Sequence, residues 1–295
     1  MALMSQTISG AATVNELSGA VSAQVLSGAV SAKELSGAVG QSVSTLYICG
    51  GFSGMDTQSK CYQFNQNTNP SNKWQPIKSM SSERTSFSLV NYRNQLYAIG
   101  GEAYEISRNV ASYNVKTNSW QSAGLLAYPT SSMGATVLND TLYVCGGTSS
   151  GHSYEACEQY FVDRNEWYLT LKPMLTDRHN LELVAHSDGC MYAIGGNSYK
   201  NSSSLKTMER FDPKTQKWTQ MADMYTKRYE FGAASFMEKI YVCGGMGNLD
   251  WNLCESYDPK INQWTKIASM NTRRDNFRLI AFNDNLYAMG GYPCN

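Results

Sequence analysis

From Thr45 onward the chain is a succession of short apolar runs separated by polar, turn-forming clusters. One stretch shows the unit. Leu181-Glu-Leu-Val-Ala185 is an apolar-rich run, Ser187-Asp-Gly189 a turn, and Cys190 to Ile194 a second run ended by Gly195-Gly196. A longer loop leads to a third run, Met208 to Phe211. The polar turn Asp212-Pro-Lys-Thr-Gln-Lys217 then leads to a fourth that begins at Trp218. Runs this short, bounded by glycine, proline and small polar residues, predict strands. No stretch carries a helical period of useful length, so the pattern predicts an all-β protein.

The unit recurs. Tyr47, Tyr97, Tyr143, Tyr192, Tyr241 and Tyr287 each stand three residues before a Gly-Gly doublet, and the first glycines are 50, 46, 49, 49 and 46 residues apart. Such a period marks an array of one supersecondary unit, each member burying its faces against its neighbours. Aromatic pairs seven residues apart strengthen the case: Tyr113 and Trp120, Tyr160 and Trp167, Phe211 and Trp218, Tyr257 and Trp264. In the first unit Phe64 and Trp74 are spread further by an insertion around Asn67-Thr-Asn-Pro70. Large rings at fixed points fill the wedge between adjacent sheets, where they bury the most area. Paired glycines at a strand end permit backbone angles and close approaches that a side chain would block.

The doublet, the aromatic that follows it and the tryptophan about seven residues beyond closely resemble the kelch repeat, over residues 45–295. Met208-Glu-Arg-Phe-Asp-Pro213 and Glu255-Ser-Tyr-Asp-Pro259 are most similar to the propellers of animal BTB-kelch proteins. The resemblance implies a six-bladed β-propeller with four antiparallel strands per blade. The sixth blade is expected to be incomplete, because only Tyr-Pro-Cys-Asn follows Gly290-Gly291. Residues 1–44 read as a separate low-complexity, flexible segment, with three charged residues, no aromatic, and a nine-residue repeat beginning at Leu17 and Leu26. Either this segment supplies the missing strands, for instance through Gln6 to Val14 and Gln24 to Ala32, or the ring stays open at an unsealed edge.

Strand order sorts the loops onto two ends. The short turns share one end; the longer loops within blades and the blade-to-blade connections share the other, where binding is expected. On that end Met80, Met174, Met224 and Met270 are each followed four residues later by an arginine: Arg84, Arg178, Arg228 and Arg274. The second unit breaks the rule with Leu126 and Thr130. These arginines either grip an acidic or phosphorylated segment of a partner through forked hydrogen bonds, or bind backbone carbonyls of their own ring. In the resembling family, arginines of these connections can line the substrate face. Tyr104, Tyr199, Tyr229 and Trp251, with Tyr154, lie in loops of the same end and are candidate anchors.

Charge and chemistry narrow the function. Lys+Arg and Asp+Glu both total 24, which leaves no net field to attract nucleic acid or an anionic membrane. No signal peptide or membrane-spanning run is apparent, so a cytoplasmic protein is expected. Six cysteines pair across the odd units: Cys49 with Cys61, Cys145 with Cys157, Cys243 with Cys254. They form either three hairpin disulfides or, as their repetition at core positions favours, buried packing residues in a reducing compartment. Three histidines without ligand spacing imply no metal site, no cofactor and no enzyme. The expected function is non-catalytic protein binding. The resemblance implies an adaptor or a substrate receptor of cullin-dependent ubiquitin ligases, or alternatively an actin-associated protein.

Overall fold

A computed structural model describes residues 4–8, 12–17, 24–25, 28–34, 43–53, 56–65, 74–169, 172–282 and 285–294. The chain builds four-stranded sheets set around a central axis, and the innermost strand of each packs on the innermost strand of the next to close a ring. Five of these sheets are antiparallel blades, which we number in chain order. The first is Gly28–Glu34, Val43–Cys49, Cys61–Asn65 and Gln75–Ile77, so its sheet begins ahead of Thr45. The second is Ser88–Tyr92, Gln95–Ile99, Asn109–Asn114 and Ser119–Leu125. The third is Gly134–Leu138, Thr141–Cys145, Cys157–Phe161 and Glu166–Tyr168. The fourth is Glu182–Ala185, Met191–Ile194, Met208–Asp212 and Lys217–Gln220. The fifth is Gly232–Phe236, Lys239–Cys243, Cys254–Asp258 and Gln263–Ile267.

The expectation of six antiparallel blades is therefore corrected to five. The sixth doublet belongs to a long hairpin, Arg273–Phe282 and Asn285–Cys294, and among the described residues no third antiparallel strand continues it. Ala12–Leu17 lies parallel beside its second strand instead, followed by Met4–Ile8. A parallel neighbour gives a slanted hydrogen-bond ladder unlike that of the blades.

The repeated aromatics hold blade to blade. In each full pair the rings meet at 4.9–5.2 Å, tilted, as in Tyr160 against Trp167. The indole Nε1–H then donates to a carbonyl of the preceding blade's outer edge: Trp120 to Lys78, Trp167 to Ala123, Trp218 to Lys172, Trp264 to Ala222. The tight turn before each tryptophan needs a left-handed residue, supplied by Asn118, Asn165, Gln216 and Asn262. Three of these side chains also accept the hydroxyl of the blade's own tyrosine. The stretched first unit keeps its Phe64–Trp74 contact, while the insertion at 67–70 lies outside the described residues.

Cys49 faces Cys61, Cys145 faces Cys157 and Cys243 faces Cys254 across the second and third strands, and all three pairs are disulfide-bonded. That replaces the packing reading of these residues. Cys190 is a buried free thiol whose pKa burial pushes up to about 11. No helix of the described residues is long and apolar enough to cross a membrane.

Candidate functional site

The loop-rich end is built on the glycine doublets. The N–H of each second glycine donates to the carbonyl of the arginine in the following blade-to-blade connection: Gly51 to Arg84, Gly147 to Arg178, Gly196 to Arg228, Gly245 to Arg274, at 2.7–2.8 Å. The first glycine sits at positive φ, and a Cβ there would come within 2.4–2.7 Å of that same carbonyl at Gly50, Gly146, Gly195 and Gly244. No other residue fits.

From this anchored backbone the arginine side chain reaches forward to the next doublet. Nη1 of Arg84, Arg178, Arg228 and Arg274 donates to the carbonyls of Gly100, Gly195, Gly244 and Gly290, at 2.7–3.1 Å. Arg84 also reaches Asn109 O, Arg178 reaches Thr207 O, and Arg228 reaches Leu253 O. Two guanidinium groups add a carboxylate: Arg178 Nη2 to Glu209 Oε1 and Arg228 Nη2 to Glu255 Oε1, both at 2.8 Å between fully buried side chains. Burial pushes the pKa of Arg178 and Arg228 down, and the paired glutamates oppose it. All four arginines are buried, Arg178 and Arg228 at 0% exposure. They are inter-blade staples, so the basic rim that would grip an acidic partner is corrected to a buried relay.

The loop aromatics divide. Tyr104 projects fully, at 98% exposure, and Tyr199 is half exposed, stacked on His179 at 4.6 Å. Tyr229 packs against the neighbouring loop and Trp251 into its own instead. Tyr229 OH meets Met246 Sδ, and Trp251 Nε1–H donates to Asn248 O. Further large apolar side chains project from this end without having stood out in sequence, among them Tyr128, Leu175, Tyr225 and Leu249, the last 91% exposed. Tyr128, Leu175 and Tyr225 sit at positions of the connections whose residue type varies from one connection to the next, so no period flags them. Three cations of this end are paired, Lys200 with Glu155, Lys206 with Asp223 and Arg273 with Asp250, while Lys60, Arg108 and Lys227 are exposed in the same loops. The opposite end exposes Met237 and Ile261.

At the axis a cavity of about 300 Å³ runs between the innermost strands, lined by small residues such as Ala135, Ala185 and Ala234 and crossed by the Glu182–Arg278 ion pair. Its mouth on the loop-rich end is a belt of left-handed residues: Ser86, Ser132, Asn180, Glu230 and Asn276. From Ser132 onward the N–H of each donates to the carbonyl of the one before, at 2.7–3.3 Å. Burial, then the charge of Asp275, raises the Glu230 carboxyl to about 7, and Asn276 Nδ2 donates to it.

Ser153 Oγ lies 2.9 Å from His179 Nδ1, but that oxygen also accepts the Tyr199 N–H, and Tyr199 covers the imidazole face. The pair braces the loops of the third and fourth blades. Among the described residues no cluster of histidine, cysteine or acidic groups has the arrangement to hold a metal ion.

Comparison with known proteins agrees with this architecture. The KLHDC2/KLHL20/DRC7 Kelch-repeats domain matches residues 36–245 and 129–291. Kelch-like protein 36 of Rattus norvegicus is 29% identical over 188 residues, covering 59% of this chain and 29% of that protein. Kelch-like protein 23 of Homo sapiens is 31% identical over 153 residues, 51% of this chain and 27% of that protein. The match thus spans under a third of the length of these relatives. The solved structure of YjhT superposes with a TM-score of 0.74 over 85% of this chain and 88% of its own, at 15% identity, and shares the fold.

Proposed function

Because the chain belongs to the Kelch-repeat family, we propose that it is a protein-interaction module whose loop-rich end docks an apolar or aromatic segment of a partner. The observation that carries this is the gathering of Tyr104, Tyr128, Leu175, Tyr199, Tyr225 and Leu249, all exposed, at one end of the ring. Large exposed apolar side chains on a rigid scaffold are anchors for a protein partner. With the four repeated arginines buried, they are not available to an acidic or phosphorylated segment there. An adaptor or substrate-receptor role, presenting one segment of a bound protein, follows from such a surface. The three disulfides weigh against a cytoplasmic location, since bonded cysteines persist in oxidising compartments.

The test is a paired comparison. A partner recovered by crosslinking should be lost from Tyr104→Ala/Tyr199→Ala/Leu249→Ser and retained by Met237→Ser/Ile261→Ser at the opposite end. Equal retention by both variants would remove the loop-rich end from recognition. The same variants in cosedimentation with filamentous actin separate a filament binder from a receptor for a single segment.

A further inference from the structure

Of the five connections that follow the numbered blades, one lacks the arginine, that between the second and third blades. Thr130 stands where the other connections carry arginine, and its backbone keeps the shared role: the Gly101 N–H donates to Thr130 O at 2.9 Å. What the arginine would have bound is still in place. In the fourth and fifth blades the acceptor set is the first doublet glycine's carbonyl, a loop carbonyl bonded to that glycine's N–H, and a glutamate. The third blade repeats each member. Gly146 N–H donates to Ala156 O at 3.0 Å, as Gly195 does to Thr207 and Gly244 to Leu253 at the same distance. Glu158 Oε2 accepts the Ala127 N–H at 2.8 Å, as Glu209 accepts from Leu175 and Glu255 from Tyr225. In those two blades the other oxygen, Oε1, takes the arginine.

Glu158 therefore holds the pose of a guanidinium acceptor at 6% exposure, with no arginine from its own connection. Thr130, 4% exposed, has a hydroxyl with no hydrogen-bond partner. Burial raises the Glu158 carboxyl to about 6; the Ala127 N–H and the charge of exposed Arg108 oppose the shift. In the second blade the reverse holds: Arg84 is present, Ala111 stands in place of the glutamate, and the guanidinium uses carbonyls and the Ser82 hydroxyl. The connection that lost its arginine also carries Tyr128 where the others have Ser82, Thr176, Thr226 and Thr272, and Tyr128 stacks on Tyr154 at 5.9 Å.

We propose that the junction of the second and third blades is a binding site for a guanidinium group supplied from outside this chain, held by Glu158 with the carbonyls of Gly146 and Ala156. The group comes from an arginine side chain of a protein partner or from a free guanidino compound. The inference does not depend on the apolar docking surface.

Methylguanidinium chloride at millimolar concentration is the probe, read as a saturable rise in melting temperature against equal sodium chloride. The wild type should respond, and Glu158→Gln should lose most of the response. Thr130→Arg, which supplies the group internally, should melt higher than the wild type and no longer respond. Equal responses in all three proteins, or none in the wild type, would overturn the proposal; if Thr130→Arg does not fold, Glu158→Gln decides alone. N-acetylarginine amide distinguishes the sources. A response to it admits a chain-borne arginine, and a response to methylguanidinium alone assigns a free small cation.

Discussion

Replacing Arg178 by methionine removes the guanidinium but keeps an unbranched side chain to fill the space. Glu209 then loses both of its guanidinium hydrogen bonds, from Nε at 3.2 Å and Nη2 at 2.8 Å, and keeps only the Leu175 N–H. The carbonyls of Gly195 and Thr207 lose a donor as well. Removing one partner of a buried pair leaves an uncompensated charge and costs about 3–5 kcal/mol. Over a domain of this size that lowers the melting temperature by roughly 6–20 °C. One further result separates the charge from the packing. Arg178→Met with Glu209→Gln removes the stranded carboxylate while the amide oxygen still accepts the Leu175 N–H, so the double variant should recover at least about 2 kcal/mol. Urea titration followed by tryptophan fluorescence at pH 7 reads both. A single variant that costs less than about 1 kcal/mol at pH 7, or a double variant as unstable as the single, would refute the staple.

Other expectations are independent of that one. Glu158 is a natural version of the stranded carboxylate, so Glu158→Gln should stabilise the protein at pH 8 by up to about 2 kcal/mol, because a pKa raised from 4.5 to about 6 penalises the ionised form. The gain should vanish below pH 4.5, where the carboxyl is protonated in both states, and a pH-independent difference would contradict it. Cys145→Ser with Cys157→Ser opens a link across a separation of 12 residues and should cost about 3 kcal/mol on chain entropy, measured by thermal melts with and without reductant. Trp218→Phe deletes one hydrogen bond, to Lys172 O, and should cost about 1 kcal/mol beyond the lost ring area, against about 3–5 kcal/mol for Trp218→Ala. Gly195→Ala forces a Cβ to within 2.7 Å of Arg228 O at positive φ, and its melting temperature should fall more than that of the exposed Gly151→Ala.

What the sequence disclosed follows from period. Doublets, tyrosines and tryptophans repeat because every blade solves the same packing problem, and each of them lies where the period puts it. The arginines repeat too, yet their direction was not legible: a Met-x-x-x-Arg spacing is compatible with a side chain pointing to solvent or into the ring. A partial clue was Glu209 and Glu255, each directly after the first residue of a third strand in a blade that an arginine precedes, although Glu158 holds the same position without one. Counting doublets overcounted blades, because Gly290-Gly291 lies within a hairpin whose further neighbours come from 12–17 and 4–8. The cysteines were legible as cross-strand neighbours, since they sit directly opposite in register, but spacing carries no information on whether two facing thiols are joined. The exposed Tyr128, Leu175, Tyr225 and Leu249 belong to loops, where no neighbouring blade imposes a residue.

The belt at the channel mouth has a use as a clock. The amides of Ser132, Asn180, Glu230 and Asn276 are each tied to the station before, from one connection to the next, whereas ladder amides are tied within a sheet. Solvent deuterium can reach the first group when neighbouring stations part even if every sheet stays intact, and reaches the second only when a sheet itself frays. Their exchange rates thus run on separate hands: one times the loosening of the ring, the other the melting of its blades.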